Sequence, residues 1–178
     1  MLSERELEQL TKVILTTTGI DLQSYKAQQM RRRLSGYISR TSSNVDEFRT
    51  SLRRDKDFVY QLKDFLTINV SEFFRDPAQF ALLNSVVIPD ILRHKSRLKV
   101  WSAGCSHGGE PYSIAMLLDQ ASTGTRHEIV ATDLDDRILA KAKLGGPYSQ
   151  SDVRAVMPGV VNEHFRKEGA DFWVKDDI

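Results

Sequence analysis

Two acidic residues beside a glycine-rich turn could bind a ligand that carries hydroxyl and cationic groups. Glu110 follows the glycines of the turn, and Asp133 closes the next apolar run, roughly 20 residues on, where a carboxylate meets ribose hydroxyls in dinucleotide-binding folds. A P-loop would continue with Lys and then Ser or Thr, whereas Glu110 and Pro111 stand there, and a carboxylate would repel a pyrophosphate. The pair favours a nucleoside without phosphates and with a positive charge, such as S-adenosylmethionine.

The elements that hold these acids are predicted to be a strand, a turn, a helix and a second strand. Leu98, Val100 and Trp101 are typical of a buried parallel strand, and Pro111 stands where a helix begins. Residues 128–133 predict the second strand. This order is the start of a doubly wound α/β fold. Many glycine-rich turns bind nothing, so Glu110 and Asp133 could instead be helix caps.

The remaining patterns divide the chain into three parts. Residues 1–67 predict a helical bundle that starts with a capping box of Ser3 and Glu6. Residues 68–97 predict a connecting segment and a helix that begins at Pro77, with Val87 and Ile91 among its core residues. Residues 98–178 predict the α/β part, with a short helix from Ser151 and a final β-hairpin.

The second predicted helix, over about residues 24–39, carries a basic surface. Ala27, Leu34 and Ile38 are predicted to be its buried stripe, and Met30 and Tyr37 to lie among the basic residues as apolar contacts for a partner. The basic residues are Lys26, Arg31, Arg32, Arg33 and Arg40. Arginines of this kind bind carboxylates well. The alternative is a solvated basic face without a partner.

Composition excludes several classes of function. The net charge of +1 argues against a polybasic nucleic-acid binder, and no apolar run approaches a membrane span. Cys105 is the one cysteine, which fits a reducing cytoplasm, and we expect it to pack in the turn. The four histidines lack ligand spacing, so the sequence predicts no metal site.

Three segments resemble the chemotaxis receptor methyltransferases of the CheR type, which esterify glutamate side chains. They are INVSEFFRD (68–76), VWSAGCSHGGEPYSIAMLL (100–118) and ATDLDDRILAKAKLGGPY (131–148). The resemblance covers essentially the whole chain. The family typically reads Ser-Thr-Gly-Glu-Glu-Pro-Tyr in the turn, whereas here His107 replaces the Thr and Gly109 the first Glu. Members usually continue for roughly another hundred residues, with further strands and an Asn- and Tyr-containing motif.

The resemblance implies a small all-α N-terminal bundle followed by a truncated α/β Rossmann-like methyltransferase domain. It implies S-adenosyl-L-methionine as cofactor, S-adenosyl-L-homocysteine as product, and the cytoplasmic helical region of chemoreceptors as partner, held in part by the basic helix. Arg75 is implied at the reaction centre, with a surface ion pair to Glu72 or Asp76 as the alternative. The implied cofactor-binding residues are Asn69, Ser71, Arg75, Gly104, Gly108, Glu110 and Asp133.

Competing interpretations remain open. The chain could be a truncated relative that binds receptor or cofactor without turnover, or a methyltransferase for a small molecule or RNA, although its charge and helical start count against RNA. Two parallel strands with their helices would leave an apolar sheet edge open. We therefore expect the chain to be a fragment, or another element to cover that edge.

Overall fold

A computed structural model describes residues 2–67 and 71–178 of the chain. The described residues fall into two compact units, one within residues 1–68 and the other within 69–178. Asn69, a predicted site residue, lies outside the described residues.

The first unit consists, within residues 2–67, of four helices and a short 3₁₀ turn at Leu22–Ser24. Ser3 and Glu6 form the predicted capping box: the Ser3 hydroxyl accepts from the Glu6 N–H, and the Glu6 carboxylate accepts from the Ser3 N–H. The first helix ends at Gly19, whose φ of 76° reverses the chain. The helices are α1 (Glu4–Thr18), α2 (Ala27–Thr41), α3 (Val45–Arg54) and α4 (Lys56–Thr67).

Helix α2 faces the core of this unit with a stripe that keeps Leu34 and Ile38 of the predicted one but differs from it in its other members. Met30 and Tyr37 are only 2% and 6% exposed, and the Tyr37 ring lies 4.5 Å from that of Phe65. Positions 30, 34, 37 and 38 lie on one side of a helix with 3.6 residues per turn. The prediction that Met30 and Tyr37 contact a partner is therefore wrong, and Ala27, predicted to be buried, is exposed.

The second unit is built on two parallel strands, β1 (Lys99–Ala103) and β2 (Glu128–Thr132), joined through helix α7 (Gly109–Ala121). One face of the pair packs on Leu117 and Leu118 of α7. The other carries Trp101 opposite Val130, and Trp101 is 70% exposed. This exposed apolar surface lies on a face of the sheet, whereas the prediction concerned an edge.

The helical run before β1 changes pitch in its middle. Helix α5 (Pro77–Leu82) passes through a π-helical turn at Leu83–Val87 into α6 (Ile88–Leu92). The wide turn accommodates Pro89, which has no N–H to donate and would clash with the carbonyl four residues earlier in a regular helix. Val87 and Ile91 are 37% and 38% exposed. Their predicted place in the core is wrong, because the wider turn changes which side chains face inward.

The chain after β2 forms a separate hydrophobic core of the second unit, around the fully buried Phe73 and Tyr148. Helix α8 (Asp136–Leu144) is capped by Asp135 and ends at Gly145. Turns occupy residues 150–155 instead of the predicted helix from Ser151. Side chains there bond the local backbone, as where Asp152 accepts from the Ser149 N–H. Helix α9 (Pro158–His164), β3 (Phe165–Glu168) and β4 (Asp171–Val174) follow.

Strands β3 and β4 pair antiparallel, which confirms the predicted hairpin. The architecture is thus a small all-α bundle followed by the first β-α-β unit of a Rossmann-like domain. Among the described residues, none of the helices combines the length and the apolar character that a membrane crossing needs.

Candidate cofactor and active site

The glycine-rich turn after β1 is fastened to the end of β2. The N–H groups of Gly104 and Cys105 both donate to the Thr132 carbonyl, at 2.8 and 3.0 Å, and the Ser106 N–H donates to Asp133 at 2.8 Å. Gly104 and Ser106 have φ values of 79° and 51°, a region that costs energy for Ser. The bond from Ser106 to Asp133 holds this conformation, so Asp133 lies at the mouth of the turn.

Asp133 retains acceptor capacity for a ligand. One carboxylate oxygen accepts from Ser106 and the other from the Asp135 N–H at 3.0 Å. An ionised carboxylate has about four acceptor sites, so both oxygens can take another donor. The cap of α8 is Asp135, which accepts from two N–H groups of the first turn. The interpretation of Asp133 as the cap of that helix is therefore wrong.

Glu110 lies in the first turn of α7 and points back to β1. Its carboxylate accepts from the Ser102 hydroxyl at 2.7 Å, and the residue is exposed. The N-cap position of α7 is Gly108, which has no side chain. Glu110 and Asp133 thus stand where β1 and β2 end, the edge at which open α/β sheets bind their ligands.

The space around the turn fits a nucleoside. A Cβ atom added at Gly104 would meet nothing within 4 Å, whereas one added at Gly108 would lie 3.1 Å from the Tyr148 hydroxyl. Gly104 leaves room for a ligand, and Gly108 allows the turn to pack inward. Two carboxylates beside this space suit ribose hydroxyls and a sulfonium. The residues present fit S-adenosylmethionine.

Cys105 fills the inner side of the turn, as predicted. It is 1% exposed. Burial, and after it the negative charge of Asp133, raises the pKa of the Cys105 thiol above its ordinary value. A protonated, enclosed thiol is a poor nucleophile, so Cys105 has a packing role.

The segment 71–76, which carries the other described site residues of the prediction, is anchored at three positions. His107 Nε2 donates to the Ser71 carbonyl at 2.8 Å. The Phe73 N–H donates to the Asp152 carbonyl at 3.0 Å, and the Phe74 N–H to the Ser113 hydroxyl at 2.9 Å. These bonds tie the segment to the glycine turn, to α7 and to the turns before α9.

Arg75 follows these anchors and is exposed. Its neighbours Phe74 and Asp76 have φ values of 51° and 57°. Such conformations persist where the surroundings impose them and often occur at functional sites. Glu72, one of the suggested surface partners of Arg75, accepts two hydrogen bonds from Arg154, at 2.8 and 3.1 Å.

His107 and Gly109, the two departures from the family pattern, both contact this segment. His107 is 6% exposed and bonds Ser71. A Cβ atom added at Gly109 would lie 3.0 Å from the carbonyl carbon of Glu72, closer than ordinary packing. Sequence reasoning missed both roles, and the only available signal was that both departures fall in one turn.

The basic residues of α2 have different surroundings. Arg33 donates to the Phe65 carbonyl at 2.6 Å, and its guanidinium lies 5.0 Å from the Phe65 ring centre. Arg31 donates to the Leu2 carbonyl at 2.5 Å. The guanidinium of Arg40 lies 6.0 Å from the centre of the Phe65 ring. Lys26 and Arg32 are exposed. Arg31, Arg33 and Arg40 therefore help to hold the bundle together.

A β-α-β start, a glycine turn and two carboxylates at the strand ends define a nucleoside-binding α/β domain of the class found in S-adenosylmethionine-dependent methyltransferases. Comparison with known families gives two matches: "CheR methyltransferase, SAM binding domain" over residues 69–178 and "CheR methyltransferase, all-alpha domain" over residues 5–67. The chain belongs to the CheR methyltransferase family, and S-adenosylmethionine is the cofactor of its second domain.

Similar curated proteins carry names from chemotaxis. A chemotaxis protein methyltransferase of Listeria monocytogenes is 39% identical over 145 residues, which cover 80% of this chain and 55% of that protein. Chemotaxis protein methyltransferase 1 of Pseudomonas aeruginosa is 30% identical over 178 residues, 93% of this chain and 64% of that protein. The chain thus spans 55% and 64% of the lengths of these two relatives.

Proposed function

We propose that this chain takes part in S-adenosylmethionine-dependent methyl transfer to glutamate side chains of chemoreceptors, which forms glutamate methyl esters during adaptation in bacterial chemotaxis. The observation that carries the proposal is the anchored segment 71–76, which presents the exposed Arg75 from the same unit as the cofactor turn. The chemotaxis names of the relatives support the pathway.

The chemistry asks little of the protein in proton transfer. A glutamate carboxylate is ionised at neutral pH, with an unperturbed pKa of about 4.3, so it needs no general base. The cofactor, when bound, supplies a methyl group activated by its sulfonium. The protein has to align the carboxylate oxygen with that methyl group and exclude water. Burial raises the pKa of the Cys105 thiol, so the thiol stays protonated. This agrees with a reaction that needs no base from the protein.

We assign roles by the chemistry of each side chain. Asp133 accepts hydrogen bonds from the ribose, and Glu110 faces the cationic end of the cofactor. Gly104 leaves room for the ligand, and Gly108 lets the turn pack inward. Arg75 holds a carboxylate, either of the incoming glutamate or of the methionine part of the cofactor, through paired N–H donors. Asn69 and Ser71 complete the cofactor site.

The receptor-binding surface is proposed for the exposed side of α2. Lys26 and Arg32 are its clearest probes, because a change at Arg33 would also remove the bond to the Phe65 carbonyl. Charge reversal of both, Lys26→Glu with Arg32→Glu, should weaken binding to receptor membranes and reduce its dependence on salt. S-adenosylhomocysteine binding serves as the control. Unchanged receptor binding would identify the surface as a solvated basic face.

Binding without turnover is the alternative for the 178-residue chain. Leu134, between Asp133 and Asp135, is 68% exposed, and Trp101 is 70% exposed. Water therefore reaches the surroundings of Asp133, whereas methyl transfer depends on a closed, dry site. We expect weak cofactor binding and little or no methyl transfer from this chain, and turnover from a form as long as its relatives.

Transfer of a labelled methyl group to receptor membranes tests the proposal. Both lengths of the protein are incubated with S-adenosylmethionine labelled in its methyl group, and base-labile label in the receptor is counted. Label above background with the longer form, lost in Arg75→Ala, supports the assignment. No base-labile label with the longer form would overturn it. Comparable turnover by the short chain would show that the proposed centre is misplaced. We propose a cytoplasmic location, where the helical receptor region lies.

A further inference from the structure

We propose that Asp119, Glu163 and His164 bind a divalent transition-metal ion, of which Zn²⁺ is the first candidate. One ligand atom of each residue lies within 4.8 Å of the other two. The sequence predicted no metal site because its four histidines lack ligand spacing, and Asp119 is far along the chain from the adjacent pair. Folding removes this separation by bringing the end of α7 to the end of α9. The proposal is independent of methyl transfer.

The imidazole of His164 provides an observation beyond acidic clustering. His164 is 3% exposed, and its Nε2 atom has no hydrogen-bond partner among residues 2–67 and 71–178. Nε2 faces the carboxylate of Glu163 at 3.6 Å, beyond hydrogen-bond distance. A buried polar atom without a partner costs free energy. A metal ion among the three side chains would give Nε2 a bond.

The electrostatic surroundings favour a cation. Asp119 lies in the last turn of α7, which ends at Ala121, and α9 ends at His164. The C-terminal ends of helices carry partial negative charge. The positive charge of the Lys175 ammonium opposes the binding of a cation here. The ammonium donates to the carbonyls of Asn162 and Glu163, at 3.1 and 2.6 Å, and so neutralises part of the end of α9 without occupying the Glu163 carboxylate.

The ligand set selects the class of metal. One imidazole nitrogen and two carboxylate oxygens suit Zn²⁺ and its first-row neighbours, whereas Mg²⁺ and Ca²⁺ prefer oxygen ligands alone. Three protein ligands leave a fourth position for water. Glu163 is exposed and Asp119 half-buried, so an ion can enter from solvent. The bound ion would cross-link α7 to α9.

Isothermal titration of the metal-free chain with ZnCl₂ tests the proposal, with MgCl₂ as the control ion. We expect one Zn²⁺ per chain. At a free concentration about a hundred times Kd, we expect the unfolding temperature to rise by roughly 5 to 10 °C. His164→Gln and Asp119→Asn should each weaken binding about tenfold or more. The matched controls His94→Gln and Asp90→Asn change exposed residues elsewhere and should leave binding unchanged.

Several results would overturn the proposal. The absence of Zn²⁺ binding by the metal-free chain would refute it directly. Equal affinity in the variants and controls would indicate adventitious binding elsewhere. If His164→Gln does not fold, Asp119→Asn and the visible spectrum of the Co²⁺-loaded chain decide. A thiolate charge-transfer band would identify Cys105 as the ligand and exclude the proposed site.

Discussion

Replacing His107 with Ala should loosen the segment that carries Arg75. His107 is 6% exposed, and its ring bonds the Ser71 carbonyl at 2.8 Å and lies 5.5 Å from the Tyr148 ring. Its own carbonyl accepts from the Tyr148 hydroxyl at 2.8 Å, a bond that the substitution leaves in place. The change therefore isolates what the imidazole does for residues 71 and 72.

The cost follows from two losses. Leaving the Ser71 carbonyl without its donor costs about 1 to 3 kcal/mol, and the cavity beside Tyr148 adds about 1 kcal/mol or more. Together they predict a decrease of about 2 to 4 kcal/mol in the free energy of unfolding of the second unit. His107→Gln places an amide nitrogen near the position of Nε2 and should recover more than half of this. His94→Ala, at an exposed histidine, should cost less than about 0.5 kcal/mol.

Calorimetry and hydrogen exchange provide the measurements. We expect the unfolding temperature to fall by roughly 5 to 15 °C in His107→Ala. The amides of Phe73 and Phe74 donate to Asp152 and Ser113. They should exchange faster in His107→Ala than in the unmodified chain, whereas amides within α3, in the other unit, should keep their exchange rates. A loss below about 0.5 kcal/mol with unchanged exchange would refute the argument. Failure of Gln to restore stability would assign the effect to ring packing.

Three further predictions concern single positions. Gly146→Ala should cost about 2 to 3 kcal/mol of stability by thermal unfolding, because φ is 149° and the new Cβ would lie 2.9 Å from the Phe172 carbonyl oxygen; an unchanged melting temperature would contradict this. Asp133→Asn should weaken S-adenosylhomocysteine binding about ten- to a hundredfold, as measured by titration calorimetry. The control is Asp136→Asn, and equal affinity in the two variants would remove Asp133 from the site. Cys105, with its raised pKa, should resist a thiol reagent at pH 8 until urea unfolds the chain. Its contribution to stability should be lost as the pH rises through the folded-state pKa of the thiol. Rapid labelling of the native chain would show the turn to be open.

Sequence patterns predicted the elements wherever local chemistry decides the structure. The capping box of Ser3 and Glu6 depends on side chains that bond the nearest turn of backbone. The acids at the ends of β1 and β2 were also placed correctly relative to the turn, because strand, glycine and carboxylate follow one another along the chain. The roles of Glu110, Asp133 and Arg75 in binding stay predictions.

Patterns failed where distant parts of the chain decide. Arg33 reads as a surface charge in the sequence, yet it donates to a carbonyl of α4. Met30 and Tyr37 are spaced like a surface stripe, yet the position of α4 and its Phe65 makes that stripe the core. The turns near Ser151 replace a predicted helix, because Ser149 and Asp152 bond their own backbone. Helical periodicity identifies faces, but tertiary contacts choose which face is buried.

The two departures in the glycine turn compensate for each other. Gly109 removes a side chain where a Cβ would lie 3.0 Å from both the Glu72 carbonyl carbon and the Ser71 hydroxyl. His107 supplies a side chain long enough to bond the Ser71 carbonyl. One residue makes room for the segment and the other holds it in that room. With a larger residue at 109 the segment would have to move away, and the bond from His107 would lengthen. The positions are therefore coupled through the backbone of residues 71 and 72, which both of them contact.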